Sequence, residues 1–190
     1  MPAPDSSLIG KVALKLTEPP SYAAADGIKA SLLSLAASSY GWKSDGDEVT
    51  QPTGFDPEAA RLFEAVVEGA FLVANADGDF DDTEQAAFQH VVVAACGGKV
   101  AERQVSALLA DLHDQLDEDG MGKRIEMVAR SISKEEHARE VLRVSALLAH
   151  VSGGVSDIER NVLDKLATEF KLKGGAVGQA LEEAAHALTE

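Results

Sequence analysis

The sequence predicts an all-α fold: a single helical domain of two pseudo-symmetric helical halves, preceded by an N-terminal extension. Two observations carry this. A helix–loop–helix unit is written twice, as Asn75-Ala76-Asp77-Gly78-Asp79-Phe80-Asp81-Asp82-Thr83-Glu84 and again as His150-Val151-Ser152-Gly153-Gly154-Val155-Ser156-Asp157-Ile158-Glu159. A constant offset of 75 residues pairs Gly78 with Gly153, Phe80 with Val155 and Glu84 with Glu159. The flanking apolar positions agree under it, Ala74 with Ala149, Phe88 with Leu163 and Val91 with Leu166. Such internal repetition decides architecture ahead of local propensity. The second observation is periodicity: apolar residues after Asp56 recur at helical spacing, and no segment alternates as a half-buried strand does.

Residues 1–54 read differently from the rest, as an N-terminal extension that is partly helical. Leu8 to Leu16 is a short apolar patch stopped by Pro19-Pro20. Ser21 to Tyr40 reads as a helix with Ile28, Leu32, Leu35 and Ala36 on one stripe. Residues 41–54, with Lys43-Ser44-Asp45-Gly46-Asp47-Glu48 and Gln51-Pro52-Thr53-Gly54, read as a flexible linker. The helical domain then covers 55–190. Asp56-Pro57 is a start signal, Asp capping and Pro taking the first helical position. Leu62, Phe63, Val66, Val67, Ala70 and Phe71 give the helix to Ala74 a broad apolar face. A helix from Asp82 to Cys96 ends at Gly97-Gly98. Ala101 to Leu116 carries Val105, Leu108, Leu109, Leu112 and Leu116 inward. Asp117-Glu118-Asp119-Gly120 reads as a turn and Lys123 to Ile132 as a shorter helix. Ser133 with Glu136 fits a capping box opening the helix from Lys134 to Val151. Asp157 to Phe170 follows, then a stop at Lys173-Gly174-Gly175. The last helix starts at Ala176 with Val177, Leu181, Ala184, Ala185 and Leu188 inward. About 135 residues from Asp56 suffice for one core. A half of three or four helices would leave its apolar stripe exposed, so the halves pack on each other as one domain.

Charge narrows the partners. Of 190 residues, 17 are Lys or Arg and 32 Asp or Glu, a formal charge of −15. That surface repels phosphate backbones and anionic lipid, which excludes nucleic acid and favours cations and basic protein surfaces. The simpler role of such a charge is solubility. Protein partners are expected, a second copy of the chain in a homodimer among them. No uncharged apolar run reaches the ~20 residues of a spanning helix, so no direct membrane insertion is expected. Cys96 is the lone cysteine, which suits a reducing compartment. Met1 to Ser7 shows no basic region followed by an apolar one. A cytoplasmic location is the expectation.

The first loop carries the chemistry. Asn75, Asp77, Asp79, Asp81, Asp82 and Glu84 place six oxygen-bearing side chains within ten residues, and Ca²⁺ or Mg²⁺ favours such oxygens. It is not an EF-hand: counted from Asn75, Phe80 takes the place of the turn glycine and Ala86 that of the bidentate Glu. Two readings stand side by side. Asp81 with Glu84, and Ser156 with Glu159, fit a helix cap with an acidic third position, which explains the shared Glu without a metal. Alternatively, Asp77, Asp79, Asp81 and Glu84 cap the helix and also hold a divalent cation. Ser152, Gly154 and Ser156 replace the three aspartates in the second loop, so a site drawing on both halves is lopsided.

Nothing else reads as a catalytic constellation. His90, His113, His137, His150 and His186 show no zinc-type spacing. His150 occupies the place of Asn75 in the second loop, where a histidine at a helix C-terminus complements the dipole or acts as a ligand. Cys96 follows an apolar run with Lys99 as its nearest basic neighbour, the setting of an inert buried thiol. Nucleophile-elbow, P-loop, dinucleotide and kinase motifs are absent. Without a second acidic loop, a metal-dependent enzyme is the weakest reading.

An alanine-rich helix, an Ala-Asp-Gly loop and a Glu opening the next helix, repeated once, resembles the TerB-like tellurite-resistance family from about Asp56 to Leu188. Ala76-Asp77-Gly78 with Glu84 is the fuller copy, and Ser152-Gly153-Gly154 with Glu159 the degenerate one. The resemblance implies an all-α, non-catalytic module of stress or tellurite-resistance systems, associated with membrane or chaperone components. It also implies a metal cluster at the loops, here Asp77 and Glu84 with Glu159 from the other half. No cofactor other than such a divalent cation is expected. The alternative is a protein–protein interaction scaffold without a metal, its groove receiving a partner helix or the first 54 residues.

Overall fold

The computed structural model describes residues 6–20, 27, 29–41, 56–152 and 154–189, and among these described residues the helix signals of the sequence place nine α-helices. In chain order they are α1 (Ser6–Thr17), α2 (Leu32–Tyr40), α3 (Pro57–Ala74), α4 (Asp82–Ala95), α5 (Glu102–Asp119), α6 (Met121–Ser131), α7 (Glu135–Ala149), α8 (Asp157–Glu169) and α9 (Ala176–Thr189). A 3₁₀ turn, His150–Ser152, follows α7. Among the described residues there is no β-strand. The fold is all-α.

Several helix ends follow from the capping chemistry. Asp56 accepts hydrogen bonds from the amides of Glu58 (2.9 Å) and Ala59 (3.3 Å), with Pro57 at the first position of α3. Ser31 caps α2 through the amide of Ser34 (3.2 Å). The predicted box at Ser133 does not form: α7 starts at Glu135 behind Lys134, which makes no side-chain cap. Burial of Ile132 and Ala138 on either side fixes the frame there, and tertiary packing overrides a local cap. Asp117 to Asp119, read as a turn, is the last turn of α5, and the break comes at Gly120.

Helices α3 and α7 form the centre. Residues 65–73 of α3 and 140–149 of α7 are buried without a polar stripe, as expected of helices covered on all sides. They meet at Gly69, where an added Cβ would lie 2.6 Å from Val141 Cγ1, so a larger residue would have to displace that side chain. Around this pair, α2, α6 and α8 pack on α3, while α1, α8 and α9 pack on α7.

The region set apart as an extension contributes to that core. Val12, Leu16 and Leu33 are fully buried in the same hydrophobic cluster as Phe63, Phe71 and Leu142. α1 packs on α4, α7 and α9, and Lys11 Nζ donates to the carbonyl of Leu188 (3.4 Å). On α2 the buried residues are Leu33, Ala36 and Ala37, whereas Leu35, expected inward, is 55% exposed. Residues 21–26 and 28 of the helix expected from Ser21 lie outside the described residues; α2 starts after Ser31, and its docking on α3 turns the face of Leu33, Ala36 and Ala37 inward instead of the expected stripe. The linker assigned to 41–54 lies outside the described residues beyond Gly41.

Two buried ion pairs staple flanking helices to the centre. Glu68 of α3 meets Arg124 of α6, Nε to Oε1 at 2.7 Å and Nη2 to the same oxygen at 2.5 Å. Arg124 also reaches Asp119 (3.1 Å). On α7, Arg143 is held by both oxygens of Glu140 at 2.7 Å and donates to the carbonyls of Lys15 (3.3 Å) and Glu18 (3.0 Å) at the end of α1. A buried charge must be paired and hydrogen-bonded to be tolerated, and both pairs meet that demand.

Candidate functional site

The two loops are built alike. In the first, Asp81 Oδ1 accepts from the Glu84 amide (2.8 Å) and Glu84 Oε2 accepts from the Asp81 amide (3.3 Å). In the second, Ser156 Oγ accepts from the Glu159 amide (3.2 Å) and Glu159 Oε2 from the Ser156 amide (2.7 Å). Each is a reciprocal capping box. At the loop entrances, Asn75 Nδ2 donates to the carbonyl of Phe71 (3.0 Å), and His150 Nδ1 lies 2.8 Å from the carbonyl of Ala146. A carbonyl only accepts, so Nδ1 of His150 carries the hydrogen. Both side chains thus bond the backbone four residues back.

Phe80 explains the departure from an EF-hand. It packs edge-on against Phe71 and Phe88, ring centroids 5.9 Å apart in both pairs, so it anchors the loop at a place where a calcium loop needs glycine. Its partner in the repeat, Val155, likewise packs on the core. Gly78, at φ 80°, supplies the left-handed turn residue.

The predicted ligands divide between the two loops. Asp77 and Asp79 are exposed, and Asp77 Oδ1 accepts from the Asp79 amide (3.1 Å) in a local turn. Asp81 and Glu84 are half-buried and face each other's backbone. Glu159 sits in the other loop, bonded to Ser156. Burial, and then the negative charges of Asp81, Asp77 and Asp79, push the Glu84 carboxyl above the usual carboxylate range, against a backbone hydrogen bond that pulls it down. Among the described residues no three His, Cys, Asp or Glu side chains converge as ligands of one ion. Cation binding would therefore require carboxylates now used as caps to turn.

Comparison of the chain with protein-family models, with curated proteins and with solved structures finds no match. The geometry of the chain itself is what bears on function.

Cys96 is fully buried, and burial pushes its thiol up to about 12, with Lys99 offsetting part of the shift. That is the opposite of an activated nucleophile. His137 is pulled below its usual range, by burial and then by Lys134. What sequence reading missed is the set of buried charges, Glu68, Arg124, Glu140 and Arg143. Their signal was present: Glu68 interrupts the apolar run Val66 to Val73, and Arg143 the run Val141 to Ala149.

A cleft of about 500 Å³ opens where the end of α1 meets α7 and α9, between Pro20, Arg143 and Glu183. No helix among the described residues is long and apolar enough to cross a membrane.

Proposed function

We propose that the chain is a non-catalytic, TerB-like helical module that acts by holding protein partners in a stress or tellurite-resistance assembly. The observation that carries this is the repeated loop: the same capping box and the same side-chain bond to the carbonyl four residues back recur at an offset of 75 residues. Further agreement supports a duplicated architecture. That offset also separates the ends of α3 and α7 and the starts of α4 and α8, and an offset of 74 separates the starts of α5 and α9. α6 packs on α3, α5 and α8, and α1 packs on their counterparts α7, α9 and α4, with further contacts to α2 and the 3₁₀ turn. The buried charges Glu68 and Arg143 fall at equivalent positions, one tying down α6 and the other the end of α1. The first helix thus completes one half as α6 completes the other.

The test is genetic. A host strain lacking the gene is expected to tolerate several-fold less tellurite, and the wild-type gene to restore tolerance. Unchanged tolerance, with no protein recovered by in-cell cross-linking to the wild-type chain, would overturn the reading.

Cation binding by the acidic loop is the second reading, favoured by the carboxylates of Asp81, Asp77 and Asp79, whose charges add to burial in raising Glu84 and which a divalent ion would offset. Calorimetric titration of Ca²⁺, Mg²⁺ and Zn²⁺ into metal-free protein tests it. Heat from the wild type that disappears in Asp77→Asn with Glu84→Gln supports a site; equal heats remove it.

A further inference from the structure

The tip of the first loop carries a covalent chemistry of its own. An Asp-Gly bond closes a five-membered succinimide ring when the glycine nitrogen reaches the side-chain carbonyl carbon of the aspartate, and the missing Cβ of glycine leaves that approach open. Asp-Gly occurs four times in the sequence, at Asp26, Asp45, Asp77 and Asp119. The last two pairs lie wholly among the described residues, and their settings differ. Asp77 and Gly78 are exposed, and a Cβ added at Gly78 would meet nothing within 4 Å. Asp77 Oδ1 accepts from the Asp79 amide (3.1 Å). A side-chain bond to the second amide along lays the carboxyl over the intervening peptide, beside the Gly78 nitrogen. That nitrogen donates to the carbonyl of Asn75 (3.1 Å) within the loop. Asp119, in contrast, ends the 18-residue helix α5. Its carboxylate is gripped by Lys123 and Arg124, and the Gly120 amide donates to the carbonyl of Leu116 (2.8 Å) in the last helical turn.

We propose that the fold leaves Asp77-Gly78 open to spontaneous isomerisation, making it a site of isoaspartyl modification, while it protects Asp119-Gly120. The Gly78 nitrogen bonds to Cγ of Asp77 as the Cγ–OH bond breaks; the amide proton passes to solvent and one water leaves. Water then opens the ring at either of its two carbonyls. Opening at Cγ restores aspartate. Opening at the main-chain carbonyl leaves the chain joined to Gly78 through Cγ, with the former backbone carboxyl as the side chain. Water is the one co-reactant, and nothing is oxidised or reduced. The isoaspartyl linkage lengthens the backbone by one methylene and takes away the acceptor of the Asp79 amide. Phe80, anchored on Phe71 and Phe88, and the Asp81–Glu84 box confine the change to the tip. The second loop has Ser152 in place of Asp77 and no carboxyl to close such a ring, so the two copies of the repeat differ in this chemistry. The inference is independent of the module reading.

The experiment holds the full chain at neutral pH and physiological temperature in water labelled with heavy oxygen, then digests it and reads each Asp-Gly peptide by mass spectrometry. Every ring opening writes one heavy oxygen into the residue, and electron-driven fragmentation identifies the isoaspartyl product. The Asp77 peptide is expected to take up label at least about tenfold faster than the Asp119 peptide, the factor of a single charge-assisted hydrogen bond that must open first. In urea the two peptides are expected to label at similar rates, because the protecting contacts of Asp119 are gone. Asp77→Glu, which would need a larger ring, is expected to abolish label in its peptide with the fold unchanged. A rate at Asp77 no faster than at Asp119 in the folded chain, the same ratio in urea, label that persists in Asp77→Glu, or label without isoaspartyl product would each overturn the assignment.

Discussion

Arg124 offers the sharpest stability test, because its removal strands a carboxylate. In Arg124→Met the methylene stem is roughly kept while the guanidinium that contacts Glu68 at 2.7 Å and 2.5 Å is lost. Both side chains are about one-tenth exposed, so water does little to replace the lost partner. Breaking a buried pair from one side costs about 3–5 kcal/mol, a large part of the ~5–15 kcal/mol that holds a typical domain folded. For a chain of this size that is a fall of about 6–20 °C in Tm. Burial already holds the Glu68 carboxyl above the usual carboxylate range, more strongly than Arg124 pulls it down. A carboxyl raised in the folded state contributes most below its unfolded value and less as pH rises through the folded one. The variant is therefore expected to lose more stability near neutral pH than near about pH 4.3. Urea unfolding at the two pH values measures this. Replacing both partners, Glu68→Leu with Arg124→Met, is expected to recover most of the loss or exceed the wild type, since an apolar pair of similar volume carries no desolvation penalty. A single variant costing under about 1 kcal/mol, or a double variant no better than the single, would refute the reasoning.

Asp81→Ala and Ser156→Ala are each expected to cost about 1 kcal/mol through loss of a cap, and their double variant about the sum, because the caps share no partner; chemical denaturation reads all three. Cys96 in the folded chain is expected to react with iodoacetamide more than about a hundredfold slower than in urea at mildly alkaline pH, as its buried thiol is pushed up to about 12. Equal rates would place that thiol at the surface. His137 is pulled down by burial and by Lys134, so the folded state disfavours its proton. Its contribution is present above the unfolded value of about 6.5 and is lost as pH falls through the lowered folded one. The urea midpoint of the wild type is expected to drop across that window, and that of His137→Gln to drop less.

How far the sequence announces this structure depends on whether the cause is local. The Asp56-Pro57 start, the Asp81–Glu84 box and the Ser156–Glu159 box are written within four residues and form as read. Ser133 has an equally good local signature and does not form its box, because the burial of Ile132 and Ala138 sets the frame of α7. Leu35 fails for a related reason: which face of α2 turns inward is decided by its docking on α3, distant in sequence. The acidic loop was legible as a cap and as a candidate ligand set, and in the fold Asp81 and Glu84 act as caps. The cleft at the end of α1 was not legible at all. It joins residues near positions 15, 143 and 183, and no short pattern brings those together.

The placement of α1 bears on how the chain comes to be folded during synthesis. Its seat includes α4, α7 and α9, and its lysine tether runs to Leu188 across 177 positions. During synthesis α1 therefore has no complete seat until α9 has followed it from the ribosome. Until then Val12 and Leu16 remain solvent-facing on a short amphipathic segment, while α6 to α9 are free to condense through contacts between neighbours. Closing so long a loop last carries its full entropic cost. Shielding of that segment by chaperones during translation is the kind of help such a connectivity calls for.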